Sequence, residues 1–179
     1  MNTALLVIDV QQGLCEGDGA AFAAAETIDR INALADRARA AGAPVIFVQH
    51  ESTNGYLVHG TPEWQLADGL QAEPADLRLR KTAADAFHRT ELEATLRRLG
   101  VARVAICGMH TEFCIDTTTR RALALGFPVL LAADAHTTVA NGVLDAKQIV
   151  RHHNATLANI ASFGPRVRAL AAADIRFDG

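Results

Sequence analysis

The chain has 179 residues, half of them hydrophobic and 21% charged, with a formal net charge of -3. A chain of that size buries a core without disulfides or a structural metal, and one domain over residues 1–179 is the default expectation. No basic block stands out and aromatics make up 5%, which excludes a nucleic-acid footprint; no uncharged run nears the roughly 20 residues that span a bilayer.

Short apolar runs alternate with helical stretches along the chain. Ala4 to Val10 reads as a buried strand. Thr27 to Ala41 reads as a helix with Ile28, Ile31, Leu34 and Ala38 on one face, closed by Gly42. Pro44 leads into a second strand, Val45 to Gln49. The segment from about 50 to 75 carries Gly55, Gly60, Pro62, Gly69 and Pro74, and is expected to be a lid or recognition loop. Leu77 to Lys81 is the third strand. Thr90 opens a helix with capping-box spacing to Glu93, and Leu92, Leu96 and Leu99 form its apolar stripe up to Gly100. Arg103 to Cys107 is the fourth strand, and Thr111 to Leu125 a helix ended by Gly126. Pro128 to Ala132 is the fifth strand, Asp145 to Ser162 a helix, and Arg166 to Arg168 a weak sixth strand. This alternation implies an α/β fold with a parallel sheet and helices on both faces.

The opening residues lack a charged leader and a small-residue cleavage site. The three cysteines, Cys15, Cys107 and Cys114, make an odd count with no Cys-x-x-Cys spacing, so a disulfide framework is not expected. The expected compartment is the cytoplasm.

Ligands of open parallel sheets bind at the carboxyl ends of the strands. Three chemically distinct groups stand there. Asp9 interrupts an apolar run at the end of the first strand, where a charge needs a partner or water. Lys81 ends the third strand. Cys114 falls in the first turn of the helix after the fourth, with Thr111 as the expected N-cap. Free N–H groups and the helix dipole favour a thiolate there and could bind an oxyanion. Each residue also has a plainer reading: a helix cap or a structural salt bridge for Asp9, a solvated cation for Lys81, a small buried hydrophobe for Cys114. Cys107 reads as core, and Cys15 as a loop thiol near the site.

Together these residues resemble the isochorismatase-like family of cysteine hydrolases, which includes nicotinamidases, ureido amidohydrolases, maleamate amidohydrolase and isochorismatase itself. The resemblance covers nearly the whole chain. It is carried by Leu6-Val7-Ile8-Asp9-Val10-Gln11, by Arg80-Lys81 with Phe87, Thr90 and Leu92, by Gly108-Met109-His110-Thr111-Glu112-Phe113-Cys114 with Thr117, Thr118 and Ala122, and by Ala133-Asp134-Ala135. It implies a three-layer doubly wound sheet of about six mainly parallel strands in the order 3-2-1-4-5-6. It implies that Cys114 attacks a carbonyl, that Asp9 moves the proton and that Lys81 orients the pair. Backbone N–H groups of His110 and Cys114 would form the oxyanion hole, after a cis peptide at Met109–His110. A homodimer or homotetramer is implied as well, with a neighbouring subunit helping to close the pocket.

The metal-binding Asp-x-His pair of the family's nicotinamidases has no counterpart in Phe47-Val48-Gln49-His50-Glu51-Ser52. His50, Glu51 and His59 match no ligand spacing, so neither metal nor other cofactor is expected. The expected activity is cleavage of a non-peptide amide, ureido or lactam C–N bond in a small molecule, with Gln11, His50, Tyr56, Trp64 and Phe87 as candidate substrate contacts. The alternatives are vinyl-ether hydrolysis of the isochorismatase type and a non-catalytic binding domain on the same fold.

Overall fold

The structure is a computed structural model and describes residues 2–177. The strand β1 spans Thr3–Ile8 and every residue of it is buried. Leu5 and Val7 enter one core cluster, while Ala4, Leu6 and Ile8 enter the other. That is the period-two alternation of a strand covered on both faces, and it explains a continuous apolar run where a one-sided strand would alternate.

The remaining elements are α1 (Gln12–Cys15), α2 (Ala24–Ala40), β2 (Val45–His50), β3 (Leu77–Lys81), α3 (Leu92–Arg98), β4 (Arg103–Met109), α4 (Asp116–Ala124), β5 (Val129–Thr137), α5 (Ala146–Ala158) and β6 (Val167–Leu170). The strands form a six-stranded sheet in the order β3-β2-β1-β4-β5-β6, with every neighbouring pair parallel. This is the expected three-layer α/β architecture. Ile28, Ile31, Leu34, Ala35 and Ala38 of α2 fill the core on one face with Ala172, Ile175 and Phe177. On the other face Leu92 and Leu96 of α3, Ala122 and Leu123 of α4, and Leu157 of α5 pack together. The chain leaves β1 toward β2 and β3, then returns to β1's other side as β4. Strand order therefore reverses at β1, the place where such sheets open a crevice.

Several boundaries differ from expectation for local reasons. The helix α2 starts at Ala24, ahead of Thr27, because Ala23 enters it with a left-handed φ of 50°. No capping box forms at Thr90. Its hydroxyl instead donates to Ala86 O at 2.6 Å and accepts from Leu92 N at 3.3 Å. A true capping box sits at α5, where Gln148 N donates to Asp145 Oδ1 at 2.7 Å and Asp145 N donates to Gln148 Oε1 at 2.9 Å. That helix stops at Ala158, short of Ser162, and Asn159 terminates it.

The fifth strand is also longer than its apolar run. Ile106 faces Leu131, whereas Gly108 faces His136. Two steps along β4 thus correspond to five along β5, a bulge that carries the strand past Ala132 to Thr137. The segment from 50 to 75 is partly ordered by a 3-10 turn at Pro62–Trp64 and by isolated bridges between Gln11 and Leu66 and between Ser52 and Val58. No helix among the described residues is long and apolar enough to cross a membrane.

Candidate active site

The main chain turns sharply where β1 ends. Asp9 takes a left-handed φ of 54°, a conformation that short polar residues tolerate better than branched ones. Its N–H continues the sheet by donating to Val48 O at 2.8 Å, and its carbonyl accepts from Gln11 N at 3.0 Å. The carboxylate is sealed from solvent, with its side chain 1% exposed.

A buried carboxylate requires a counter-charge. Lys81 supplies it from the end of β3, two strands away. Its stem crosses the end of β2, beside His50 in the β2–β3 register. Lys81 Nζ lies 2.6 Å from Asp9 Oδ2, and its side chain is fully buried. The same nitrogen donates to Ala83 O at 3.0 Å and to Cys114 Sγ at 3.2 Å. It also lies 3.4 Å from His50 Nδ1. Burial works to lower the lysine pKa. The charges and hydrogen bonds of Asp9 and Cys114 outweigh it, so the group titrates above its ordinary range and stays an ammonium.

The thiol arrives from the far side of the crevice. The Met109–His110 peptide at the end of β4 is cis, as the resemblance implies. Thr111–Ile115 then forms a π-helical turn that runs directly into α4. Cys114 therefore sits in a widened turn, and Thr111 lies inside it without acting as a side-chain N-cap. π-turns of this kind recur at functional sites. The expected resting thiolate is not what the surroundings favour. Burial pushes the Cys114 thiol up to about 12; Asp9 pushes the same way by charge and hydrogen bond, and Lys81 opposes them. The resting pair is thus a protonated thiol beside an ammonium-bound carboxylate.

A cavity of about 270 Å³ opens over the sulfur, lined by Asp9, Leu14, His50, Leu57, Ala84, His110, Phe113 and Cys114. His50 and His110 are half-buried, and burial lowers the pKa of each, so both imidazoles are neutral near pH 7. Of the candidate substrate contacts, only His50 lies on this wall. Gln11 is committed elsewhere: its amide donates to His50 O at 3.0 Å and Trp64 O at 2.8 Å, and accepts from His50 N at 2.8 Å. It clamps the 50–75 segment to the end of β1. Tyr56 is 51% exposed and lines a separate depression with Gln12, Gly13 and Glu63. Trp64 packs edge-on against His59 at 4.5 Å. Phe87 is core, stacked 6.3 Å from Phe127. The walls that sequence reasoning missed are Leu14, Leu57, Ala84 and Phe113. Phe113 carried a signal, being a large apolar residue directly before the candidate nucleophile; in the structure it is 57% exposed.

Behind the sulfur lies a second polar set. His136, delivered by the β5 bulge and 3% exposed, touches Thr111 Oγ1 at 2.8 Å through Nδ1 and Asn154 Oδ1 at 2.9 Å through Nε2. Asn154 Nδ2 donates to Ala133 O at 2.9 Å, so its Oδ1 is the acceptor. The neutral ring must then carry its proton on Nε2 and accept from the Thr111 hydroxyl at Nδ1. Burial lowers the His136 pKa to about 4. The network anchors the first residue of the cysteine's turn to β5 and α5.

The other thiols stand apart. Cys107 is fully buried in β4, where burial raises its pKa. Cys15 packs 3.5 Å from Met109 Sδ, and burial pushes it up to about 12. Among the described residues no three His, Cys, Asp or Glu side chains group as metal ligands.

A family model described as the isochorismatase domain matches residues 3–169. Over 136 residues, 75% of this chain, the sequence is 41% identical to a streptothricin hydrolase of Streptomyces noursei. The match covers 49% of that protein, so the chain spans about half its length. The ureidoacrylate amidohydrolase RutB of Stutzerimonas stutzeri (strain A1501) is 28% identical over 171 residues, covering 75% of this chain and 69% of that one. Among solved structures, one described as an isochorismatase family protein superimposes with a TM-score of 0.86 at 38% identity, covering 95% of this chain and 98% of that one.

Proposed function

The chain belongs to the isochorismatase family, and from that premise we propose that it is a cysteine hydrolase cleaving a non-peptide amide, ureido or lactam C–N bond in a small molecule through a thioester on Cys114. One observation carries the reading: a single buried ammonium, Lys81, lies 2.6 Å from the Asp9 carboxylate and 3.2 Å from the Cys114 sulfur at the foot of a cavity. The hydrolase and amidohydrolase names of the two relatives support it.

In this mechanism Asp9 takes the Sγ proton as the sulfur attacks the substrate carbonyl. Lys81 stabilises the thiolate as it forms and keeps the buried carboxylate paired. Backbone N–H groups of His110 and Cys114 are the donors for the developing oxyanion. Asp9 then passes its proton to the leaving nitrogen, the C–N bond breaks, and the acyl group stays on sulfur. Water attacks the thioester, Asp9 takes the water's proton and returns it to the thiol, and the carboxylic acid departs. Because the thiol rests protonated, the nucleophile is generated in the reaction itself by the adjacent base.

The test is a screen of small amides, ureides and lactams for amine release, followed by quenching and mass measurement of Cys114. Release of amine with an acylated Cys114 is the expected result, and Cys114→Ser should abolish turnover while the protein stays folded. Full hydrolysis by Cys114→Ser would overturn the mechanism. Turnover of a vinyl ether without amine release or acyl-enzyme would point to isochorismatase-type chemistry instead.

A further inference from the structure

We propose that the cavity over Cys114 admits uncharged carboxamides and turns away substrates that carry a carboxylate, an inference that rests on Cys114 being the nucleophile. The argument begins with the donors. An ammonium has three N–H groups, and those of Lys81 are engaged by Asp9 Oδ2, Ala83 O and Cys114 Sγ. No lysine or arginine is among the residues described as lining the cavity. Asp9 is the one carboxylate on the wall, and the two imidazoles there are neutral at pH 7.

Two further acids stand behind the imidazoles, one of them offset by an arginine. Glu51 acts by charge on His50, and Glu112 acts by charge on His110. Glu51 is itself paired with Arg80 at 3.4 Å, which leaves that arginine engaged beside β2 and off the cavity wall. The rest of the lining is Leu14, Leu57, Ala84 and Phe113. A carboxylate entering here would lose its water among apolar side chains, close to Asp9, with no free cation to receive it. A carboxamide brings no charge and meets no such penalty. Exclusion arises from repulsion built against the wrong ligand as much as from contacts with the right one.

Two probes of nearly equal size separate charge from fit. Iodoacetamide and iodoacetate both alkylate a thiol: sulfur bonds to the CH₂ carbon, iodide leaves, and the thiol proton is released. The full-length protein is treated with each at pH 7, and modification of Cys114 is followed by peptide mass spectrometry, resolved from Cys15 and Cys107. Each rate is divided by that of glutathione with the same reagent. The expected result is a normalised preference for iodoacetamide at Cys114 of about tenfold or more. Equal normalised rates would overturn the charge filter while leaving Cys114 an accessible nucleophile. Failure of both reagents at Cys114 at pH 7 and again near pH 10, where more of the buried thiol ionises, with the protein folded, would overturn the accessible-nucleophile reading and the filter with it.

Discussion

At Cys114 three influences compete, and their balance separates catalysis from simple thiol reactivity. Burial and Asp9 raise the thiol pKa, while Lys81 lowers it. Asp9→Asn removes a charge that favours the protonated thiol, so the thiolate fraction at a fixed pH should rise and alkylation by iodoacetamide should quicken. The same substitution removes the base and should lower turnover by about 10²–10⁴-fold. Opposite changes in the two rates are the expected outcome of measuring both on one preparation. Turnover left unchanged by the substitution would remove Asp9 from its proposed role. His136 gives a second residue-scale prediction. An unfolded histidine binds its proton near pH 6.5, whereas the folded ring stays neutral down to about 4. Between these values the unfolded chain takes up protons that the native state refuses, so stability falls as pH drops from 6.5 toward 4. The loss is on the order of 3 kcal/mol across that window. Denaturant midpoints measured against pH should follow this slope, and His136→Asn should flatten it. Asp9 and Cys114 were legible in the sequence because each breaks or follows an apolar run. The contact of Thr111 with His136 and Asn154 was not, because a buried triad from three separate elements has no spacing of its own.

Among elements, the loop from 50 to 75 depends on Gln11 more than on its own composition. The three hydrogen bonds of that side chain hold His50 and Trp64 to the end of β1. Gln11→Ala leaves the N–H and the carbonyl of His50 without their side-chain partner, while Trp64 O keeps the Gln49 amide at 2.9 Å, and should cost roughly 1–3 kcal/mol. Amide hydrogen exchange should then accelerate over residues 50–66 while β4 and β5 remain protected. The sequence reading found the loop from its glycines and prolines, yet assigned Tyr56 and Trp64 to the pocket. Their actual positions depend on the 3-10 turn at Pro62–Trp64 and on bridges to residues far away in the chain, which local patterns do not encode. Strand positions were readable for the opposite reason. A strand buried on both faces declares itself through an unbroken apolar run; Leu77–Lys81 shows the contrast, an edge strand that carries exposed arginines.

Across the whole molecule, the site depends on the Gly108 backbone of β4 lying against Ile8 of β1 with no room for a side chain. Gly108 has a φ of 117°, and a Cβ there would stand 2.0 Å from Ile8 O. Gly108→Ala combines backbone overlap with a φ that side chains rarely adopt, and should destabilise the protein by roughly 3–5 kcal/mol. A denaturant midpoint matching the native protein's would show that the sheet can open there without penalty. The overall layering was legible because strand-helix alternation leaves few topologies open. The unequal pairing of β4 with β5 was not: Ala132-Ala133-Asp134-Ala135 shows one charge among alanines, and nothing local tells that these four residues stand opposite Cys107 alone. That mismatch works as a spacer of set thickness. Removing or adding a single residue in it would turn His136 to the opposite side of the sheet, releasing Thr111 although every residue around the sulfur kept its identity. Length, and not chemistry alone, is therefore under constraint in that short stretch, and a relative of altered length there would need another way to brace the cysteine's turn.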